Sequence, residues 1–259
     1  MIPLKDNIPT NRFPFVTLGL ILANVVVYLL AIRHGGNIIS GPSAPVELKY
    51  SAIPYALTHY GRHCGLVTSG AVVCQGQPGV TGTPPNIIPT WQTVFTAMFM
   101  HASIVHIGGN MLFLWIFGNN VEDSMGPVKY VCFYLLGGIA ALALQVAVSP
   151  NSTAPTLGAS GAIAAVLGGY ILLYPRARVL TLVFIILFFT VIELPATVML
   201  GIWFLQQALF GAVNLTNPAG GGGGVAYFAH VGGFVFGLAV VKLLATHRKE
   251  IPAARFPVY

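Results

Sequence analysis

Residues 157–174 read LGASGAIAAVLGGYILLY, an uncharged apolar run with a serine three residues after its first position. A helix crosses the hydrocarbon core with about 20 mostly apolar residues, within a range of about 17 to 25, so this run is read as a membrane span. Five further runs meet the same criterion: residues 15–32, 102–118, 130–148, 196–213 and 225–245, where Lys242 near the end can snorkel outward. The stretch 91–118 carries no charge at all, and its part before His101, with Trp, Gln and Thr, suits the membrane interface. A seventh candidate, 179–192, is apolar but short, with Pro175 and Pro195 outside it, and is read as an interfacial or re-entrant segment.

Composition agrees with this count. Of 259 residues, 56% are hydrophobic and 7% charged, against roughly 25% charged in a soluble domain. Eighteen charges cannot coat a water-soluble globule of this size, and the mean hydropathy is +0.80. The lipid bilayer is therefore the first partner. The net charge of +6 does not point to nucleic acid, because the basic residues stand at the ends of apolar runs. With six spans, Lys5, Arg12, Lys129, Arg176, Arg178, Lys242, Arg248, Lys249 and Arg255 fall on one face, and Arg33, Lys49 and Arg62 on the other. That bias predicts cytoplasmic termini. The fold expected is an all-α, multi-pass integral membrane protein: a single domain over 1–259, with residues 1–14 cytoplasmic, a long outer loop at 33–90, a helical core at 91–245 and a cytoplasmic tail at 246–259. The first span lacks a small-residue cleavage site and reads as an uncleaved anchor. Cys64 and Cys74 share the outer loop, where a disulfide and a reduced pair both fit, and Cys132 in the third span reads as a buried free thiol. A bacterial cell membrane is the expected setting.

Polar groups inside spans are costly and so direct attention to function. They are Asn24, His101, His106, Asn110, Ser160 and His230. Asn24 stands alone and suits an interhelical hydrogen bond. Ser160, in GASG, is either a tightly packed helix start or a nucleophile at a helix N-terminus, where free N–H groups stabilise an oxyanion. A partner base decides between these readings. His230, in AHVGG, supplies a candidate: Gly161 and Ala165 on one helix, with Gly233 and Gly237 on the other, allow the backbones to approach closely. His106 and Asn110 are four residues apart and share a helix face, so two donors can point at one site; His101 falls about 140° away, as a boundary or packing residue. Even-numbered spans all start on the outer face, which brings Ser160, His230, His106 and Asn110 to similar depth. Asp6, Glu122, Asp123, Glu193 and Glu250 fall on the inner side and Glu47 in the outer loop, so no acid is placed to orient His230. A Ser/His dyad follows rather than a triad. No HExxH, no intramembrane acidic pair and no histidine pair at i, i+4 supports a metal.

These residues carry a resemblance. HASIVHIGGN at 101–110, GNNVEDSMG at 118–126, GASGA at 158–162 and AHVGG at 229–233, in this order, resemble the rhomboid family of intramembrane serine proteases. The resemblance implies a six-transmembrane-helix rhomboid-like bundle with Ser160 as nucleophile and His230 as general base and later acid. It implies an oxyanion hole made by His106, Asn110 and the Ser160 N–H, with Gly158, Gly161 and His101 in support. No cofactor is implied. The substrates implied are single-pass or other transmembrane proteins, cut in or beside the membrane, and the fifth span (196–213) with the 214–224 loop would serve as gate and cap. Catalytically inactive relatives that bind client helices are the alternative class. Two positions depart from the pattern. Ala164 stands where many members carry an aromatic packed on the catalytic histidine, leaving Tyr227 and Phe234 as candidates to hold His230, and Trp91-Gln92 replaces a frequent Trp-Arg pair. Oligomeric state and substrate identity are not encoded in these motifs.

Overall fold

The computed structural model describes residues 1–81, 89–185, 188–216 and 225–246. The chain begins with strand β1 (Ile2–Asp6) and helix α1 (Phe15–Arg33). The long loop after α1 holds a small ribbon of β2 (Gly36–Asn37) and β3 (Gly41–Pro42), then helices α2 (Ala44–Tyr50) and α3 (Pro54–Thr58), then a hairpin of β4 (Cys64–Leu66) and β5 (Val72–Cys74). Helix α4 (Thr90–Thr96) leads into α5 (Ile104–Phe113), which runs through a π turn at Leu114–Gly118 into α6 (Asn119–Met125). Helices α7 (Pro127–Val148) and α8 (Ser160–Leu173) follow, then strands β6 (Arg178–Ile185) and β7 (Phe188–Pro195), and helices α9 (Ala196–Thr216) and α10 (Tyr227–Leu244).

Among the described residues, α1, α7, α9 and α10 are long and apolar enough to cross a membrane, and a fifth span results if the bent unit Thr90–Phe99 plus Ile104–Met125, kinked by 77°, counts as one. The six-span count is not reached by this measure, because α8 has 14 residues and rises only about 21 Å against a core of about 30 Å. Its surroundings explain the shortness. Every residue from Ala162 to Tyr170 is buried, so α8 is walled by protein and has no lipid-facing stripe to extend across the bilayer. Small residues permit that burial. A Cβ on Gly233 would overlap the Gly161 carbonyl oxygen, one on Gly237 the Ala165 oxygen, and one on Gly168 the Phe234 oxygen, so α8 and α10 touch backbone to backbone.

The all-α expectation also fails at 179–192. This segment, rich in β-branched and aromatic residues, forms the β6–β7 hairpin, and β1 adds to it in the antiparallel order β1-β6-β7. Pairing satisfies backbone groups that a short single helix would leave open at its ends. An Arg178–Glu193 ion pair at 3.4 Å closes the base of the hairpin, while Phe184, Phe188 and Phe189 near its tip are exposed.

The bundle is tied together by caps supplied from other elements. Helix α1 has no acid in its first turn and no side-chain cap of its own. Glu122 of α6 accepts from Val16 N (3.0 Å), Thr17 N (2.8 Å) and Thr17 Oγ1 (2.7 Å), placing a carboxylate at the positive end of the α1 dipole. Asp123 accepts from Asn11 N at 2.7 Å. The Asp6 carboxylate accepts from the Tyr170 hydroxyl (2.6 Å) and Asn120 Nδ2 (2.8 Å), and burial pushes its carboxyl up to about 6 although those hydrogen bonds pull the other way. Asn24, expected to bond across helices, donates to Leu20 O of its own helix at 2.8 Å, and its side chain also meets the Tyr134 hydroxyl of α7.

In the loop between α1 and α4, Cys64 and Cys74 form a disulfide at facing positions of β4 and β5. Cys132 is not buried as expected but exposed on α7, since the small and aromatic residues Phe133, Tyr134, Gly137 and Gly138 fill the inward face. The loop is sewn to the helices by reciprocal backbone bonds between Ala52 and Thr156 (2.9 and 2.7 Å) and by Tyr55 N to Ser152 O (2.9 Å). Residues 217–224, most of the expected cap, and the basic tail 247–259 lie outside the described residues.

Candidate active site

Ser160 is the first residue of α8, where the backbone N–H groups of the opening turn have no intrahelical acceptor. Gly158, with φ +117°, turns the chain into that helix; a side chain there is disfavoured on backbone grounds, and a Cβ would sit 2.8 Å from His106 Nε2. His230 is in the first turn of α10. Its Nε2 lies 2.7 Å from Ser160 Oγ. The close approach of Gly161 to Gly233 brings two residues 70 positions apart into hydrogen-bond range.

His106 and Asn110 project from α5 to the same place. Ser103 caps that helix by accepting from His106 N at 3.1 Å, which fixes where the first turn starts. His106 Nδ1 accepts from Ala102 N at 3.5 Å, leaving Nε2 as the N–H nitrogen directed at Gly158. Asn110 Nδ2 is buried without a hydrogen-bond partner, and it would lie 3.7 Å from a Cβ on Gly158. Two donors thus converge on the space beside Ser160. His101 is fully buried behind them, edge-on to His106 with ring centroids 5.1 Å apart, and its Nε2 accepts from Ala159 N at 3.5 Å. Ser160, His230, His106, Asn110 and Gly158 line one cavity of about 610 Å³, whose wall includes Met98, Trp203 and Ala229. Glu47 of α2 also borders it, and burial pushes its carboxyl upward. Among the described residues no cluster of His, Cys, Asp or Glu is arranged to hold a metal ion.

Two residues at this site escaped the sequence reading. His230 is held neither by Tyr227, which packs on Phe210, nor directly by Phe234, which stacks on Phe204. Helix α9 does it: Gln207 Oε1 lies 2.8 Å from His230 Nδ1, and the Trp203 ring packs on the imidazole with centroids 5.7 Å apart. Gln145 of α7 likewise supplies a cap that α10 lacks, accepting from Ala229 N at 3.2 Å. Each of these amides lies within an apolar helix, a placement as anomalous in lipid as the histidines, and that was the available signal. Trp203 and Gln207 are moreover four residues apart, on one face.

The family model for the Rhomboid domain matches residues 89–247. The chain belongs to the rhomboid family. Its relatives include Rhomboid protein 1, mitochondrial, of Saccharomyces cerevisiae, 30% identical over 150 residues, covering 56% of this chain and 40% of that one. Rhomboid-like protein 11, chloroplastic, of Arabidopsis thaliana is 39% identical over 75 residues, 29% of this chain and 26% of that one. The Presenilin-associated rhomboid-like protein, mitochondrial, of Mus musculus is 29% identical over 145 residues, 54% and 34% respectively. This rhomboid therefore spans less than half the length of each of these relatives. They also correct the expected setting: all three carry an organellar designation, which points to an organellar membrane rather than a bacterial cell membrane.

Proposed function

We propose that this rhomboid is an intramembrane serine endopeptidase that cuts transmembrane or juxtamembrane segments of other membrane proteins through a Ser160–His230 dyad. The observation that carries the reading is the 2.7 Å contact between Ser160 Oγ and His230 Nε2 at the wall of a cavity of about 610 Å³. Ser160 Oγ attacks a substrate carbonyl while Nε2 takes its proton. The resulting oxyanion accepts from the Ser160 N–H, His106 Nε2–H and Asn110 Nδ2, and the buried, unpartnered Asn110 amide supports that role because a donor without an acceptor costs free energy until one arrives. His230 then protonates the leaving amine, and water entering by the cavity hydrolyses the acyl-enzyme. A substrate helix has to unwind to expose its peptide bond, which favours segments weakened by Gly near the cleavage point.

Reconstituted protein tests this with a transmembrane substrate and a fluorophosphonate probe. Ser160→Ala abolishes cleavage, and labelling of wild type is lost in His230→Ala. Undiminished cleavage by Ser160→Ala rejects the assignment, and failure of the probe to label well-folded wild type favours an inactive, client-binding protein instead.

A further inference from the structure

The geometry points to Gln207 as the positioning residue for His230, setting from α9 which ring nitrogen is free to take the serine proton; this inference rests on the dyad proposed above. A hydroxyl can transfer its proton to Nε2 only if that nitrogen is bare, so the ring proton has to reside on Nδ1. Which tautomer forms is decided by the partner of Nδ1. That partner is Gln207 Oε1 at 2.8 Å, a carbonyl oxygen that accepts and cannot donate, and this orientation of the amide places the proton on Nδ1. The reversed amide would present N–H to Nδ1, leave Nε2 protonated and disarm the pair.

Among the described residues no carboxylate competes for this role. The cavity has Glu47 as its single acidic lining residue, and the hydrogen bonds of His230 within the described residues are to Gln207, Ser160 and its own helix. The groups facing the imidazole are Ser160 from α8, Trp203 and Gln207 from α9, and the His106 ring from α5 across the cavity. Gln207 is buried, 8% exposed, so water does not readily replace its carbonyl. A neutral amide orients the ring as an acid would, without placing a second charge in the membrane, where an unpaired carboxylate is costly. Because Trp203 lies one turn away on the same helix and packs on the same ring, the position of α9 governs both the tilt and the tautomer of the base.

The test uses full-length protein reconstituted with a transmembrane substrate, with variants Gln207→Leu and Gln207→Glu. Gln207→Leu removes the acceptor at similar volume and lowers kcat on the order of 10- to 100-fold with KM unchanged; Gln207→Glu, which still accepts from Nδ1–H, restores most of that loss. Nitrogen-15 NMR of histidine-labelled protein, with His230 assigned by its disappearance in His230→Ala, reports the Nδ1–H form in wild type and its loss in Gln207→Leu. An Nε2–H form in wild type, or a Gln207→Leu variant with wild-type kcat and tautomer, overturns the inference. If wild type neither cleaves nor labels while His230 holds the Nδ1–H form in a Gln207-dependent way, the protease reading fails and the positioning role stands.

Discussion

The α8–α10 contact makes Gly233→Ala a quantitative test of how the proposed dyad is held. A Cβ built at 233 lies 3.1 Å from the Gly161 carbonyl carbon, 3.2 Å from Ala164 Cβ, and overlaps the Gly161 oxygen outright. Non-bonded carbon contacts relax at about 3.5–4.0 Å, and the obstacle is backbone, which cannot rotate away. Relief therefore requires the helices to part by about 1 Å. His230 is one turn before Gly233 and Ser160 adjoins Gly161, so the same displacement stretches their 2.7 Å contact beyond hydrogen-bond range. Overpacking costs about 1–3 kcal/mol in stability, and a misplacement of about 1 Å costs on the order of 100-fold in rate. Fluorophosphonate labelling and cleavage in proteoliposomes should both fall by about that factor, while thermal unfolding in detergent still shows a cooperative transition. A folded Gly233→Ala protein that labels and cleaves at the wild-type rate would refute the argument that this backbone contact sets the distance.

Gly158→Ala is expected to act on the other half of the site. Its φ of +117° and the 2.8 Å approach to His106 Nε2 combine backbone strain of about 1–3 kcal/mol with displacement of an oxyanion donor, and turnover should fall on the order of 100-fold. Glu122→Ala removes the carboxylate that caps α1 through three hydrogen bonds and should lower stability by about 3 kcal/mol, read as a reduced unfolding midpoint in detergent. Asp6 has a pH signature. Its folded carboxyl, near 6, lies above an ordinary value of 3.8, so the native state binds the proton more tightly, and stability from this group falls as pH rises between about 4 and 6. Asp6→Asn should flatten that slope in a midpoint-against-pH series, and an unchanged slope would show that Asp6 is not its source.

How much of this was legible in the sequence depends on the range of the interaction. Apolar runs located the membrane helices because hydropathy is a local property. The costly polar residues Ser160, His230, His106 and Asn110 marked the candidate site because each calls for a polar partner inside an apolar run. The glycines at 161, 233 and 237 signalled which helices touch. What escaped depends on partners far apart in sequence. The apolar run at 179–192 became a hairpin partly because residues 2–6 supply a third strand, and no window around 180 contains that information. Glu122 capping α1 and Gln145 capping α10 span 105 and 84 residues. The shortness of α8 follows from being enclosed on all sides, a tertiary fact. Gln207 was within reach, as a buried amide in an apolar helix, once the missing acid beside His230 was taken as a demand for another acceptor.

The π turn at Leu114–Gly118 lets one rod carry two jobs. Before it, His106 and Asn110 face the cavity; after it, Asn120, Glu122 and Asp123 are all buried, with Glu122 and Asp123 holding the start of α1 and the segment before it. A regular α-helix advances about 100° per residue, so a single-residue change of winding rotates the azimuth of everything beyond it. Excising one residue from this turn would leave the upper half in phase with the proposed dyad and swing the lower half's anchors out of register, uncoupling the candidate site from its scaffold within a single helix.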